Sequence, residues 1–339
     1  MKKKVLITGG SGYLGQFLIE ALALQSFDDV DIYLTYHKKV IAYYDSSKQI
    51  YMDISDDTSI IACISSLQPN VIIHLAAVSS LAVCNSNADE ANKCNCPSTL
   101  IDAVKEYCPD CLFVFSSTDL IYGSGEHPPY KATSNNSFEP MNVYGITKLG
   151  FERQVLQLTN GIVLRLSNMI STTPYVYEDV GCKFLQFLQQ SMDSKAFIGL
   201  RCDEVRSFVC IKDVVQVLLS CIASALDDNK VSIHAPNIND IKGKIFNIGG
   251  PEGLSRLDLA SILAKHQGIE LNILPTHIEN NTDIALISTG NIWNVYSQKN
   301  AECNISTGIK SPRDVTMDIT ETELVFNIKF KTMSDTITQ

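Results

Sequence analysis

Thr8-Gly9-Gly10-Ser11-Gly12-Tyr13-Leu14-Gly15 constrains this chain more than any other stretch. Gly9, Gly12 and Gly15 stand at G-x-x-G-x-x-G spacing. They follow the short apolar run Val5–Thr8 and open a segment, Tyr13–Leu24, whose apolar residues Leu14, Phe17, Leu18, Ala21 and Leu22 recur at helical spacing. A glycine at such a turn allows φ > 0. The middle glycine lets backbone N–H groups approach a pyrophosphate, and the last lets helix and strand pack closely. The helix N-terminus then turns its partial positive charge toward phosphates. Strand, glycine loop and helix in this order predict a dinucleotide cradle made by Gly9, Ser11, Gly12, Tyr13, Leu14 and Gly15.

The rest of the first half continues the alternation. Strands are expected at Ile32–Tyr36, Gln49–Met52, Val71–Ala76, Leu112–Phe115 and Ile162–Leu166, and helices at Asp56–Leu67, Ala88–Tyr107 and Tyr144–Leu158. Val71–Ala76 is nearly continuous in apolar character, as a strand covered on both faces should be. This pattern predicts an α/β fold, a Rossmann-type doubly wound parallel sheet with a smaller C-terminal substrate lobe. The expected division is 1–167 for the dinucleotide-binding domain, completed by part of 207–250, and 168–339 for the lobe.

In the second half, Ser207–Ile211 reads as a strand leading into a helix Asp213–Leu226 with Asp213 as its cap, and Asp227–Gly243 as a loop. Lys244–Ile248 reads as a strand. Ser255 and Asp258 form a capping-box start for a helix over Ser255–His266. The tail after Ile319 is weakly patterned and polar. Its end, Lys331–Gln339, holds no aromatic and one basic group, so it lacks the anchors that usually carry interfaces.

A net charge of −10 over 339 residues gives no general attraction for phosphate backbones, so nucleic acid is not an expected partner. Neither a secretory h-region nor a long apolar span follows the basic start, so no membrane partner is expected and the chain is assigned to the cytoplasm. The 11 cysteines then read as reduced thiols, and Asn-x-Ser/Thr sites such as Asn280–Thr282 carry no meaning. Cys94, Cys96, Cys108 and Cys111 invite a metal or redox reading. However, Cys108 and Cys111 fall at a helix C-terminus and a strand start, away from the helix N-terminus that activates thiols, and no metal is expected.

Two further features bear on chemistry. The second strand ends in Tyr36-His37-Lys38-Lys39, without the carboxylate that usually holds the ribose of NAD. Asp28, Asp29 and Asp31 lie at its other end, so Lys38 and Lys39 predict NADP (NADPH). Tyr144 and Lys148 stand at (i, i+4), on one face of a helix, where an ammonium lowers the tyrosine pKa toward a working proton donor. Tyr44 and Lys48 match the same spacing but lie in a loop-like stretch. Ser116-Ser117-Thr118 follows Leu112–Phe115 at the carboxyl edge of the sheet, where ligands bind in such folds. Hydroxyls of Ser117 or Thr118 can therefore converge with the Tyr144 phenol.

At these residues the chain resembles the extended short-chain dehydrogenase/reductases. The resemblance is carried by Thr8–Gly15, His74-Leu75-Ala76-Ala77, Asn95, Ser116–Gly123 and Tyr144-Gly145-Ile146-Thr147-Lys148. Within them it is most similar to dTDP-4-dehydrorhamnose reductases and to the regulatory β subunits of methionine adenosyltransferase. The pieces in common are Ser117-Thr118-Asp119, Pro128-Pro129-Tyr130, Asn142–Gly145, Arg206 ahead of Val209–Asp213, and Ser311-Pro312-Arg313. The resemblance implies Thr118, Tyr144 and Lys148 as the catalytic triad and Ser117, Asn168 and Arg206 near the substrate. For the cofactor it adds His37, Asp53 with Ile54 at the adenine, Leu75, Ala76, Ala77 and Asn95. It implies NADPH-linked reduction of a 4-keto nucleotide sugar, or regulation of a methionine adenosyltransferase catalytic subunit in S-adenosylmethionine biosynthesis. It leaves a homodimer open. After Asn168 the chain reads Met-Ile-Ser, where the family often has a Tyr-Gly pair, so the C-terminal lobe departs from the pattern.

Overall fold

The computed structural model describes residues 2–25, 30–38, 40–123, 128–133, 138–173, 175–177, 183–194, 198–226, 234–269, 273–276 and 310–338. Asp28, Asp29, Lys39 and Asn280–Thr282 lie outside the described residues. The central element is a seven-stranded sheet, all of whose pairings are parallel. Its strands are β1 (Lys3–Thr8), β2 (Val30–Tyr36), β3 (Gln49–Tyr51), β4 (Val71–His74), β5 (Leu112–Thr118), β6 (Gly161–Leu166) and, from much later in the chain, Ile245–Ile248. From one edge the order runs Ile245–Ile248, β6, β5, β4, β1, β2, β3. The chain builds outward from β1 to β3, then returns to lay β4 on the other side of β1. That reversal opens a crevice at the carboxyl ends of β1 and β4.

Period-two alternation splits the strand residues between two cores. Val5 and Ile7, Val71 and Ile73, Val114, Ile162 and Leu164 face one cluster, which they share with helix α1 (Tyr13–Ala23) and the helix Ile211–Leu226. Leu6, Ile72, Phe113, Phe115 and Val163 face the other, under α2 (Asp57–Leu67), α5 (Ser98–Tyr107) and α6 (Val143–Val155). Both faces are covered, which is why the strands read as continuous apolar runs.

Several expectations are corrected. The long helix over Ala88–Tyr107 is two helices, α4 (Ala88–Asn95) and α5, because Pro97 pushes Cys96 out of the helical region, to φ −135° and ψ 53°. A helix the periodicity missed, α3 (Leu81–Ser86), precedes them. Strand β5 does not stop at Phe115. Ser116, Ser117 and Thr118 continue it, paired with Leu164, Arg165 and Leu166. Their hydroxyls stay in a buried strand because each finds a partner: His74 O, the Glu152 carboxylate and the Asp119 carboxylate. Asp213 does not cap the helix after Cys210, which begins at Ile211. From the first turn its carboxylate accepts the Lys331 backbone N–H at 2.9 Å. A short helix, Ile238–Ile241, occupies part of the expected loop.

Among the described residues the C-terminal region has three two-stranded pairings, Met169–Ile170 with Val209–Cys210, Val205–Arg206 with Leu254–Ser255, and Ile198–Arg201 with Ile273–Thr276, beside isolated bridges such as Val205 with Asp314. Its core gathers Leu185, Leu188, Phe208, Leu259, Leu263 and two tail residues, Met333 and Ile337. The tail is therefore not free. It forms helices Thr320–Phe326 and Met333–Ile337, and buries Phe326, Phe330, Met333 and Ile337. Ser255 caps the helix Arg256–Gln267 with the reciprocal Asp258 bond expected of a capping box.

Candidate active site

The glycine loop sits in the crevice between β1 and β4. Gly9 adopts φ +72°, and a Cβ there would come within 2.8 Å of Ala76 N, so close approach of the two strand ends requires glycine. A Cβ on Gly15 would overlap the carbonyls of Gly9 and Gly10. Helix α1 starts behind Gly12 with no side-chain cap, so its N-terminal N–H groups and dipole are left to face the cavity. This arrangement fits a pyrophosphate. Thr8 Oγ1 closes the floor: it accepts Leu75 N–H and Ala76 N–H, and lies 2.8 Å from His74 Nδ1. Burial, then the nearby Lys148 charge, pushes His74 down to about 3, so the ring is neutral packing between Phe113, Phe115 and Phe151.

At the end of β2, His37 Nε2 lies 3.2 Å from Asp53 Oδ2. The Ser55 hydroxyl and backbone N–H hold Asp53 below the usual carboxylate range. Asp31 lies near the start of β2 and is engaged by Lys48 at 2.9 Å. Lys38 is exposed.

Helix α6 supplies the next group. Asn142 caps it by accepting Gly145 N–H at 2.9 Å, which places Tyr144 and Lys148 over the carboxyl end of β5. Lys148 Nζ sits 4.3 Å from the Phe115 ring centroid and 5.8 Å from that of Tyr144. The expected electrostatics are reversed here. Burial, then the charges of Asp119 and Cys84, push the Tyr144 phenol well above its ordinary range. Burial pushes Lys148 down to about 7, although Glu152 opposes this. A buried ammonium resists its own charge before it can stabilise a phenolate. Thr118 lines the cavity beside them. Ser117 lines it too, but its hydroxyl donates to Glu152 Oε1 at 2.5 Å. Glu152 is in turn held by Arg165, with Nη2 at 2.8 Å from Oε2.

The cavity, about 400 Å³, continues to a charged end. Asn168 and Arg206 are there as expected. Asp119, Ser167, Glu204, Arg256 and Ser311 join them, and the sequence had not singled these out as site residues. Arg206 Nη2 is 2.9 Å from Glu204 Oε1 and donates to Ser311 Oγ at 2.8 Å, while Arg201 Nη1 is 2.7 Å from Glu204 Oε2. Burial would raise Glu204, but Arg206, Arg256 and Arg201 pull it down to about 2. The signal for Glu204 was its place two residues before Arg206, on the same buried strand turn. Ser311 was visible only as part of Ser311-Pro312-Arg313.

Of the expected residues, Gly9, Gly12, Tyr13, Leu14, Gly15, Leu75, Ala77, Ser117, Thr118, Tyr144, Lys148, Asn168 and Arg206 share this cavity. Ser11, His37, Lys38, Asp53, Ile54, Ala76 and Asn95 are not among its lining residues. Asn95 is buried elsewhere, accepting Val78 N–H and donating to Val78 O, so it holds the loop after β4 in place. Among the described residues no cluster of His, Cys, Asp and Glu could hold a metal ion, and no helix is long and apolar enough to cross a membrane. The described cysteines are free thiols.

A family model described as the NAD dependent epimerase/dehydratase family matches residues 5–249. CDP-paratose 2-epimerase of Salmonella typhi is 23% identical over 303 residues, covering 79% of this chain and 86% of its own length. The methionine adenosyltransferase 2 subunit beta of Xenopus laevis is 26% identical over 294 residues, covering 86% of this chain and 79% of its own. Among solved structures, a dTDP-4-dehydrorhamnose reductase from Bacillus anthracis in complex with NADP superposes with a TM-score of 0.72. It covers 100% of this chain and 98% of that one at 18% identity.

Proposed function

This chain belongs to the NAD dependent epimerase/dehydratase family, as an extended short-chain dehydrogenase/reductase, and from that premise we propose that it is an NADPH-dependent reductase of a 4-keto nucleotide sugar. The observation that carries the reading is one continuous cavity. Its lining brings together the glycine loop, Thr118, Tyr144 and Lys148, and Arg206 and Arg256. Residues 1–167, completed by Ile245–Ile248, form the cofactor half, and 168–339 chiefly the substrate lobe.

In this reading Gly9, Ser11, Gly12, Tyr13, Leu14 and Gly15 hold the pyrophosphate. His37, Lys38 and Lys39 are assigned to the ribose phosphate and Asp53 and Ile54 to the adenine, and Leu75, Ala76, Ala77 and Asn95 form or brace the wall beyond. The nicotinamide, when bound, supplies a hydride to the carbonyl carbon. Tyr144 gives its phenolic proton to the carbonyl oxygen, Thr118 donates a hydrogen bond to that oxygen, and Lys148 orients the ribose. Arg206 and Arg256, with Asn168 and Ser117 nearby, receive the nucleotide diphosphate.

A second reading is regulatory: an NADP-binding partner of a methionine adenosyltransferase catalytic subunit. The likeness to the Xenopus β subunit along 86% of the chain favours it. The test puts both on one sample. Purified protein is offered NADPH or NADH with a dTDP-4-keto-6-deoxy sugar, and co-purifying proteins are identified. NADPH is expected to bind about tenfold tighter or more, a gap of about 1.4 kcal/mol, and replacing Lys38 and Lys39 by alanine should remove most of it. Tyr144→Phe is expected to lower turnover by about 10²–10⁴ while keeping cofactor affinity. No NADPH oxidation, together with capture of methionine adenosyltransferase, would reverse the ranking.

A further inference from the structure

Thr118 lines the cavity beside Tyr144 and Lys148, and its single proton is already in use. Thr118 Oγ1 donates to Asp119 Oδ1 at 3.3 Å and accepts Leu120 N–H at 3.2 Å. A hydroxyl has one proton and two acceptor sites. In this arrangement Thr118 offers the cavity only a lone pair, which repels a carbonyl oxygen that needs a donor. Asp119, 2% exposed, lines the same cavity, and its other oxygen accepts the Ser167 hydroxyl at 2.9 Å.

We propose that Asp119 is a positioning residue that sets the direction of the Thr118 hydroxyl. As a carboxylate it draws the Thr118 proton away from the cavity. As a carboxylic acid it gives its own proton to Thr118 Oγ1, and the Thr118 proton turns to the substrate oxygen. The substrate half of this statement rests on the reductase reading; the hydrogen-bond reversal does not.

The surroundings shift Asp119 toward the acid form. Burial raises Asp119 above the usual carboxylate range, and Glu204 adds to this, while Arg206 and the Ser167 and Thr118 hydroxyls oppose it without cancelling it. From α6, Tyr144 lines the same cavity as this carboxyl group, and the Asp119 charge is one of the groups that push its phenol up. One proton on Asp119 therefore does two things. It frees the Thr118 proton, and it makes Tyr144 a better donor.

The experiment is pH-difference infrared spectroscopy on the full chain without added ligands. The wild type is expected to show a protonated-carboxyl stretch that disappears above the ordinary carboxylate range. D119N should lack that band, and T118V should shift its frequency and midpoint. With nucleotide sugar and NADPH, kcat of the wild type should fall by about tenfold per pH unit above that midpoint. D119N, whose amide can always donate to Thr118, should lose this limb, with KM little altered. A T118V-sensitive band that survives in D119N, or a wild-type spectrum with no band moved by T118V, overturns the proposal; the Asp213 carboxyl, also raised by burial, contributes a band that both variants keep. The expected infrared shifts with no turnover at any pH would instead overturn the reductase reading and leave the hydrogen-bond reversal standing.

Discussion

At Lys148 burial and function oppose each other. Its ammonium is enclosed, and burial lowers it from 10.5 to about 7. In the unfolded chain the group keeps its proton to much higher pH, so between these values the unfolded state binds more protons. Stability should then rise with pH, by about 2–3 kcal/mol between about pH 7 and pH 9 from this residue alone. Tyr144, raised above 10, titrates beyond that window and does not mask the slope. Lys148→Met is expected to be more stable than the wild type at pH 6, with the gain shrinking toward pH 9. Urea titrations at both pH values measure it, and a gain independent of pH would show that Lys148 is not held against its charge. The (i, i+4) spacing of Tyr144 and Lys148 was legible in the sequence. The direction of their pKa shifts was not, because desolvation depends on what Phe115 and the rest of the wall enclose.

Between elements, a buried polar network joins α6 to β6. Glu152 sits one turn beyond Lys148 and grips Arg165 through both oxygens, with Arg165 Nη1 reaching the Tyr122 hydroxyl at 3.0 Å. Tyr122 passes the chain to Asn247, on the last strand of the sheet, at 2.6 Å. Removing one member leaves a buried charge unpaired. Glu152→Gln is expected to cost about 3–5 kcal/mol, read as a lowered denaturant midpoint, while Glu152→Leu with Arg165→Met should recover most of it. If the double variant is no better than the single one, the pair is not the source of the loss. None of this was readable in advance, since Arg165 falls inside an apolar run and looks like the edge of a strand. The break at Pro97 was readable: the residue before a proline avoids helix, but the apolar period on both sides overrode that signal.

Over the whole molecule, the tail is an integral part of the substrate lobe. Met333 N–H is accepted by Glu252 at 2.9 Å, and Met333 and Ile337 are 1% and 4% exposed against the helix Arg256–Gln267. Deleting residues 332–339 is expected to leave cofactor affinity unchanged at low temperature, because the glycine loop lies in the other half. It should lower Tm by about 5 °C or more, through the loss of two buried apolar side chains. Calorimetry on the truncated chain checks this, and an unchanged Tm would mean the docking contributes nothing. A tail packed on its own lobe is not available for insertion into a partner, which weighs against that mode of regulation.

By itself the sequence determined the parallel sheet, the glycine cradle and the Tyr144–Lys148 face, because each rests on a local pattern: short apolar runs alternating with helical stretches, a spacing of three between glycines, and of four on the helix. The tertiary structure alone decided that Ser116–Thr118 belong to the strand, that Asp119, Glu204, Arg256 and Ser311 share a cavity with Tyr144, and that Ile245–Ile248 takes the edge place beside β6. These depend on contacts between residues up to about two hundred positions apart, such as Arg206 with Ser311, 105 residues on. No local pattern records such a meeting, because burial and charge at one residue are set by whichever distant segments the fold brings against it.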